Sequence, residues 1–374
     1  MLTAQLVMIV LLSVPIMVLQ ICIPYLTRST ISFGVTVSSE TYHSEPVVKL
    51  RKRFVLTTTI SYALLIAILL ILYGVQGGFQ EDQYPFLLGN IVILSVVVSI
   101  GINLYFNAQM KKLRPLFEQH GTEGKATFII DTNFHKQRLV LSTKWYLIQA
   151  VVIAGSVWFA LSHYNQFPAH LPLQYDLQGE LSRTEAKSYF AVLGPNMIQV
   201  LLTLLLLSTN VVIQRSKQQL DPSNPDLSLR RSIVFRRRWS LFNFLCCLAL
   251  VCLFLFIQMS MLYTFDPVTI MYVSLGFPLH MVAGAIYLSF TTGQSGSRLL
   301  RSDSNSAVKP NAPVHNDHYW KFGGSLYYNP GDPSIFIEKR MGIGWTVNFA
   351  RPTAWAFFIA PIVILAALRI FKVI

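Results

Sequence analysis

The sequence predicts an α-helical polytopic membrane protein with about eight transmembrane helices. Both termini are expected outside, with a small cytoplasmic β-rich layer built from the inner loops. Three observations carry this expectation. Of 374 residues, 53% are hydrophobic and only 13% are charged, whereas soluble domains carry about a quarter charged residues. Eight apolar runs reach the roughly 20 residues that a helix needs to cross the hydrocarbon core. They cover 2–26, 54–74, 85–110, 145–164, 190–214, 239–262, 270–292 and 353–371. With the N-terminus outside, 26 of the 30 Lys and Arg residues fall in the inner loops 27–53, 111–144, 215–238 and 293–352. Such a bias sets orientation.

The first run is a membrane helix rather than a cleaved signal. No positive charge precedes it and Arg28 follows it, the reverse of a signal peptide's flanks. After it, "TISFGVTV" (30–37) reads as β structure for the inner layer. Residues 125–142 read as two short β runs around a polar turn at 132–136. Between the fourth and fifth runs, 165–189 is the single outer loop with enough polar surface to recognise anything. Residues 293–313 are rich in Ser, Gly, Asn and Pro and read as a flexible tether. The chain thus divides into a seven-helix membrane domain (1–292), the tether, a cytoplasmic β-hairpin domain (314–352) and a last transmembrane helix (353–374). In 325–350 three short strands are expected, separated by turns at 329–333 and 342–344.

The net charge of +13 is accounted for by topology and by anionic lipid at the inner face, which leaves no call for nucleic acid. Cys22, Cys246, Cys247 and Cys252 all lie inside apolar runs, so no disulfide framework is expected. The runs hold no Asp, Glu or Lys, and Arg appears only at an end, which argues against an ion-coupled transporter. His280 is the intramembrane exception, beside Pro278. It is either functional or a neutral histidine bonded to a backbone carbonyl. Gly194-Pro195 and Gly276 with Pro278 are candidate bend points.

His163, His170, Asp176, Glu180 and Glu185 are too loosely spaced for a metal site. Lys339 and Arg340 with Gly342 and Gly344 suit either a phosphate cradle or a turn facing anionic lipid. The Walker pattern and the nucleophile elbow are both absent. No catalytic residue, metal or cofactor is therefore assigned, and the enzyme question stays open with the balance against it.

Two stretches carry a family resemblance. "LPLQYDLQGELSRTEAK" resembles the signature segment of SdpI-type bacterial membrane proteins at Pro172, Tyr175, Gly179 and Lys187. It departs from that pattern at Gln174, Asp176, Ser182 and Thr184. The stretch 318–355 is similar to a short uncharacterised domain that often accompanies that segment. The matching positions are Trp320, Tyr328, Asn329, Pro330, Asp332, Pro333, Lys339, Arg340, Gly342, Gly344, Trp345, Thr346 and Asn348. "PYLTRSTISFGVTV" also looks like the start of those larger proteins.

The resemblance implies a bacterial plasma-membrane receptor or immunity-type protein that meets a secreted peptide or envelope stress and relays to a cytoplasmic protein partner. Outer-loop ligand contacts would come from His170, Gln174, Tyr175, Asp176, Gly179, Glu180, Arg183 and Lys187. Inner-domain contacts would come from Trp320, Tyr328, Asn329, Asp332, Lys339, Arg340, Gly342, Gly344, Trp345 and Asn348. The alternatives are a membrane-embedded enzyme, a lipid or peptide translocator, or a membrane subunit of a larger complex.

Overall fold

The computed structural model describes residues 2–75, 84–118, 134, 137–175, 181–220, 224–300 and 317–370. Every apolar run is helical: α1 (Leu2–Leu26), α3 (Glu45–Val75), α4 (Tyr84–Glu118), α5 (Leu147–Ser162), α6 (Tyr189–Arg215), α7 (Pro225–Ser260), α8 (Pro267–Thr292) and α9 (Pro352–Ile370). A short helix, α2 (Ser39–His43), precedes α3. Among the described residues, 6 helices are long and apolar enough to cross a membrane. The chain is a helical polytopic membrane protein.

Several helices outrun their apolar stretches. Helix α3 starts at Glu45 and α7 at Pro225, well inside the basic segments read as loops. Arg, Lys and Leu are good helix formers. The start of α7 is also set by proline in the first turn and by Asn224, whose side chain accepts the Leu227 N–H, a standard N-cap. Pro195 and Pro278 each lie within a continuous helix.

The helices form two packed groups. Helices α3 and α4, with residues 33–42, enclose one apolar core around Phe54, Ile102, Phe106 and Met110, and α1 joins them at a second around Tyr62, Leu65, Leu69 and Ile91. Helices α5, α6 and α7 pack together, and α8 lies against α7 and α1. The connections rich in Lys and Arg gather at one end of both groups, the basic end.

At that end β1 (Ile31–Ser32) and β2 (Val35–Thr36) form a hairpin. Its turn residues Phe33 and Gly34 have φ of 48° and 77°, the signature of a two-residue type I′ turn. A phenylalanine at positive φ is strained. It is held there by packing on Phe54 and Phe106, with ring centroids 5.4 and 5.5 Å away. Gly34 admits no side chain, since a Cβ there would sit 2.5 Å from the Gly323 carbonyl oxygen.

Also at the basic end lies the C-terminal β module: β5 (Trp320–Lys321), β6 (Leu326–Tyr327), β7 (Phe336–Glu338) and β8 (Trp345–Val347). β5 pairs with β6 and β7 with β8, both antiparallel, and a parallel bridge from Tyr327 to Asn348 joins the pairs. Turns occupy 329–333 and 342–344, as the Asn, Pro and Gly residues there require. The opening of the 293–313 segment packs onto this end, with Gln294 and Gly296 buried. Residues 301–313 lie outside the described residues.

Of the 125–142 stretch, only Phe134 and 137–142 are described. No strand is present in 137–142, where the Leu141 N–H donates instead to the Ser240 hydroxyl at 2.8 Å.

At the opposite end, 165–189 is more than a loop. β3 (His170–Tyr175) and β4 (Leu181–Ala186) pair antiparallel, with His170 opposite Ala186. Phe167 and Leu171 anchor the hairpin in a core with Ala160, Val192 and Met261.

Candidate functional site: a charged bracket at the basic end

Two carboxylates of the C-terminal module, Asp332 and Glu338, are buried and a third, Asp317, is half-buried, and each meets cations from the helices or their ends. Glu338 is 1% exposed and pairs with Arg236, itself 0% exposed, at 3.4 Å. It also pairs with Arg28, just after α1, and accepts from the Ser295 hydroxyl. Asp317 pairs with Arg340 at 2.5 Å and with Arg114 of α4 at 3.2 Å, and accepts from the Thr36 hydroxyl at 2.7 Å. Asp332 pairs with Lys217, just beyond α6, at 2.7 Å and accepts from the Tyr327 hydroxyl at 3.0 Å. The module therefore bridges both helix groups. Asp317 holds α4 and the β1–β2 hairpin, Asp332 holds the end of α6, and Glu338 holds α7 and the end of α1.

Local structure explains why these side chains point inward. Arg236 lies one residue after Phe235 on α7 and donates to the Ile213 carbonyl, the Ser216 carbonyl and hydroxyl, and the Lys217 carbonyl. The Ile213 carbonyl is one that α6 leaves open at its C-terminus, while Ser216 is its C-cap and Lys217 lies just beyond, and a cation there also suits the helix dipole. In the 329–333 turn, Asn329 Oδ1 accepts the Gly331 N–H and Asp332 Oδ1 accepts the Ser334 N–H. Asn348 braces this turn, donating to the carbonyls of Asn329 and Asp332 and accepting the Asn329 N–H. Arg351 donates to the Asp332 carbonyl.

The electrostatics follow from burial and pairing. At Asp317, burial opposes ionisation, but the Arg340 charge, the Thr36 hydroxyl and Arg114 outweigh it and lower its pKa. Asp332 is lowered in the same way, with Lys217 and the Ser334 N–H outweighing burial. Burial, with Asp332 adding to it against the Asn329 hydrogen bond, pushes the Tyr327 hydroxyl up to about 12. The bracket thus holds ionised acids against cations, of which Arg236 and Arg340 are buried and Lys217 is open to water. That arrangement is rigid while intact and costly to open.

The inner-domain residues expected from sequence separate into distinct places. Asp332, Arg340 and Asn348 belong to the bracket. Arg340 donates to the Gly34 carbonyl and the Thr36 hydroxyl as well as pairing with Asp317, while the Lys339 side chain is exposed. The two cations diverge, so the phosphate-cradle reading loses Arg340. Gly342 and Gly344 take φ of 75° and 110°, and the Gly342 N–H donates to the Thr27 hydroxyl. Trp320 joins Tyr327 and Ile337 in the module's small core. Trp345 packs on Phe235 of α7, ring centroids 5.5 Å apart, Asn329 shapes its turn, and Tyr328 is exposed.

At the hairpin end, His170 and Arg183 are exposed, with Arg183 3.8 Å from Glu185. Lys187 folds back, donating to the Phe167 carbonyl at 3.0 Å beside the Tyr164 ring. Gln174 and Tyr175 lie in β3, with Gln174 opposite Arg183 and Tyr175 opposite Leu181. Asp176, Gly179 and Glu180 lie outside the described residues. His280 is exposed on α8, its Nδ1 2.7 Å from the Gly276 carbonyl on the same helix.

Sequence reasoning missed Asp317, Glu338, Arg28, Arg114, Lys217 and Arg236 as partners. It also missed an amide layer between the two ends. Asn196 Nδ2 donates to Ser156 Oγ and Gln199 Oε1, Gln258 Nε2 donates to Asn196 Oδ1 and the Val192 carbonyl, and Gln199 donates to the Val251 carbonyl. Amides inside apolar runs were the available signal, since polar groups in a membrane helix face protein. Among the described residues, no group of three or more His, Cys, Asp or Glu residues is placed to hold a metal ion.

A model of a family of unknown function, DUF5808, matches residues 330–355, the stretch that holds Asp332, Glu338, Arg340 and Asn348. No curated protein and no solved structure matches the chain.

Proposed function

We propose that this chain is an SdpI-like bacterial plasma-membrane receptor or immunity-type protein with eight membrane spans. The β3–β4 hairpin meets a secreted peptide or an envelope component outside. The bracketed module reports that state to a protein partner in the cytoplasm. One observation carries the reading: the helix pair α6–α7 holds both ends.

The hairpin root packs on Val192 and Met261, at one end of this pair. Gln258, Asn196 and Gln199 tie the two helices together below it. Arg236 of α7 grips the C-terminus of α6 and pairs with Glu338 at the far end. A helix of 27 residues, the length of α6, spans about 40 Å at 1.5 Å per residue. A ligand shifts such a system only if it binds one arrangement better than the other. A small displacement of α6 on α7 would change the Arg236–Glu338 contact directly.

The experiment uses a bacterial host lacking the protein, challenged with a panel of secreted membrane-active peptides. Wild type is compared with a variant carrying alanine at Gln174, Asp176, Glu180 and Arg183, at equal membrane levels. Protection by wild type and its loss in the variant is the expected result. Equal protection by both would sink recognition through the hairpin.

A further inference from the structure

The two helix groups treat their buried polar side chains differently. In α5–α7 the layer of Ser156, Asn196, Gln199 and Gln258 is bonded within itself or to backbone, and Gln149 Oε1 and Trp239 Nε1 are the buried atoms of these helices left open among the described residues. In α1–α3–α4 three buried hydroxyls are open. Ser13, Thr58 and Ser95 are 1%, 0% and 1% exposed, and their hydroxyl oxygens have no hydrogen-bond partner among the described residues. Elsewhere in this protein a helical hydroxyl turns back on its own helix. Thr59 donates to Val55, Thr209 to Leu205, Thr291 to Tyr287 and Thr292 to Leu288 carbonyls.

The three hydroxyls occupy neighbouring levels. Gln20 and Asn103 meet at 3.5 Å, which sets α1 and α4 in register, and both helices run toward the basic end. About two turns back along each helix, at 3.6 residues per turn, lie Ser13 and Ser95. The Tyr62 hydroxyl donates to the Ser95 carbonyl at 3.1 Å, and Thr58 sits one turn before Tyr62 on α3. Phe54, Ile102 and Phe106 close the layer toward the basic end. Leu65, Leu69 and Ile91 close it on the other side.

Buried polar groups in native proteins are satisfied by protein or by ordered water. We infer that the α1–α3–α4 group contains a closed hydration site at the level of Ser13, Thr58 and Ser95, whose ligand is ordered water bridging these hydroxyls. The site rests on the buried hydroxyls alone and is independent of the receptor reading.

The test is thermal unfolding of the full chain in lipid nanodiscs. Thr58→Val keeps the shape and removes the hydroxyl. With water bound, it breaks bridging hydrogen bonds and the midpoint falls by at least ~2 °C, while Thr58→Ser stays near wild type. In a dry site the same change removes an unsatisfied hydroxyl and the midpoint rises, which overturns the inference. A midpoint raised by sodium but not by choline, with the increment lost in Thr58→Val, also overturns it in favour of a bound cation. If Thr58→Val fails to fold, a high-resolution density map of the wild type decides. A peak within hydrogen-bonding reach of two of the three hydroxyls supports the site, and empty density contradicts it.

Discussion

Replacing Glu338 with alanine is the sharpest test of the bracket. The change leaves Arg236, fully buried, and Arg28, 17% exposed, without their shared counter-charge. Removing one partner from a buried ion pair costs about 3–5 kcal/mol, because the remaining charge stays desolvated. Two features place the expectation near the lower bound. Arg236 keeps its contacts to Ile213, Ser216 and Lys217, and Arg28 has some access to water. About 3 kcal/mol is therefore expected, read by equilibrium unfolding in mixed micelles with increasing denaturing detergent. Replacing Arg236 and Glu338 together by methionine should recover part of the loss, since apolar replacement of a whole buried pair is often neutral. The difference between the double variant and the sum of the singles gives the coupling. A Glu338→Ala cost within ~0.5 kcal/mol, the range of an ordinary surface change, would refute the reasoning.

Other expectations follow from the same geometry. Asp317 and Asp332 both have pKa values below the ordinary 3.8, so the unfolded chain takes up their protons first as the pH falls. Their contribution is fully present above 3.8 and is lost as the pH drops through the folded values. The unfolding midpoint should accordingly fall as the pH drops below about 4, and less steeply in Asp317→Asn. Gly34→Ala places a Cβ 2.5 Å from the Gly323 carbonyl at a φ of +77°. It should cost at least ~1–3 kcal/mol, the usual strain of such a position, in the same unfolding assay. Gln258→Leu removes bonds to Asn196 and the Val192 carbonyl. Interhelical hydrogen bonds in membranes contribute ~0.6–1.7 kcal/mol each, so a loss of about 1–2 kcal/mol is expected.

The membrane helices were legible because length and apolarity are signals read over a long window of local sequence. The turns at 329–333 and 342–344 were legible because Asn, Pro and Gly restrict backbone locally. The bracket was not legible in the same way. Arg28, Arg236 and Glu338 are far apart in sequence, and each basic residue had been read only as a marker of membrane side. The same letters that orient the chain also neutralise the module's carboxylates. With 30 basic and 17 acidic residues, charge alone cannot say which pairs meet.

A local clue did exist at Glu338, an acid directly after Phe336 and Ile337 in a strand. The β3–β4 hairpin was read as a polar loop because its short strands carry charged residues on an exposed face. Asn196, Gln199 and Gln258 carry no charge, so nothing in the charge pattern of the apolar runs marks them. In a membrane, neutral amides also require partners.

The account's central claim is that the hairpin and the bracket are coupled through α6–α7. Cysteines at His170 and Ala186, which face each other across β3 and β4, would clamp the hairpin by a reversible disulfide. Hydrogen–deuterium exchange in residues 326–351, measured before and after reduction, then reads the bracket from the opposite end of the helices. The coupling predicts a change of at least ~5-fold in exchange there, the lower bound of typical coupling between sites, and its loss in Gln258→Leu. Unaltered exchange in 326–351, alongside altered exchange within the hairpin itself, would contradict the claim.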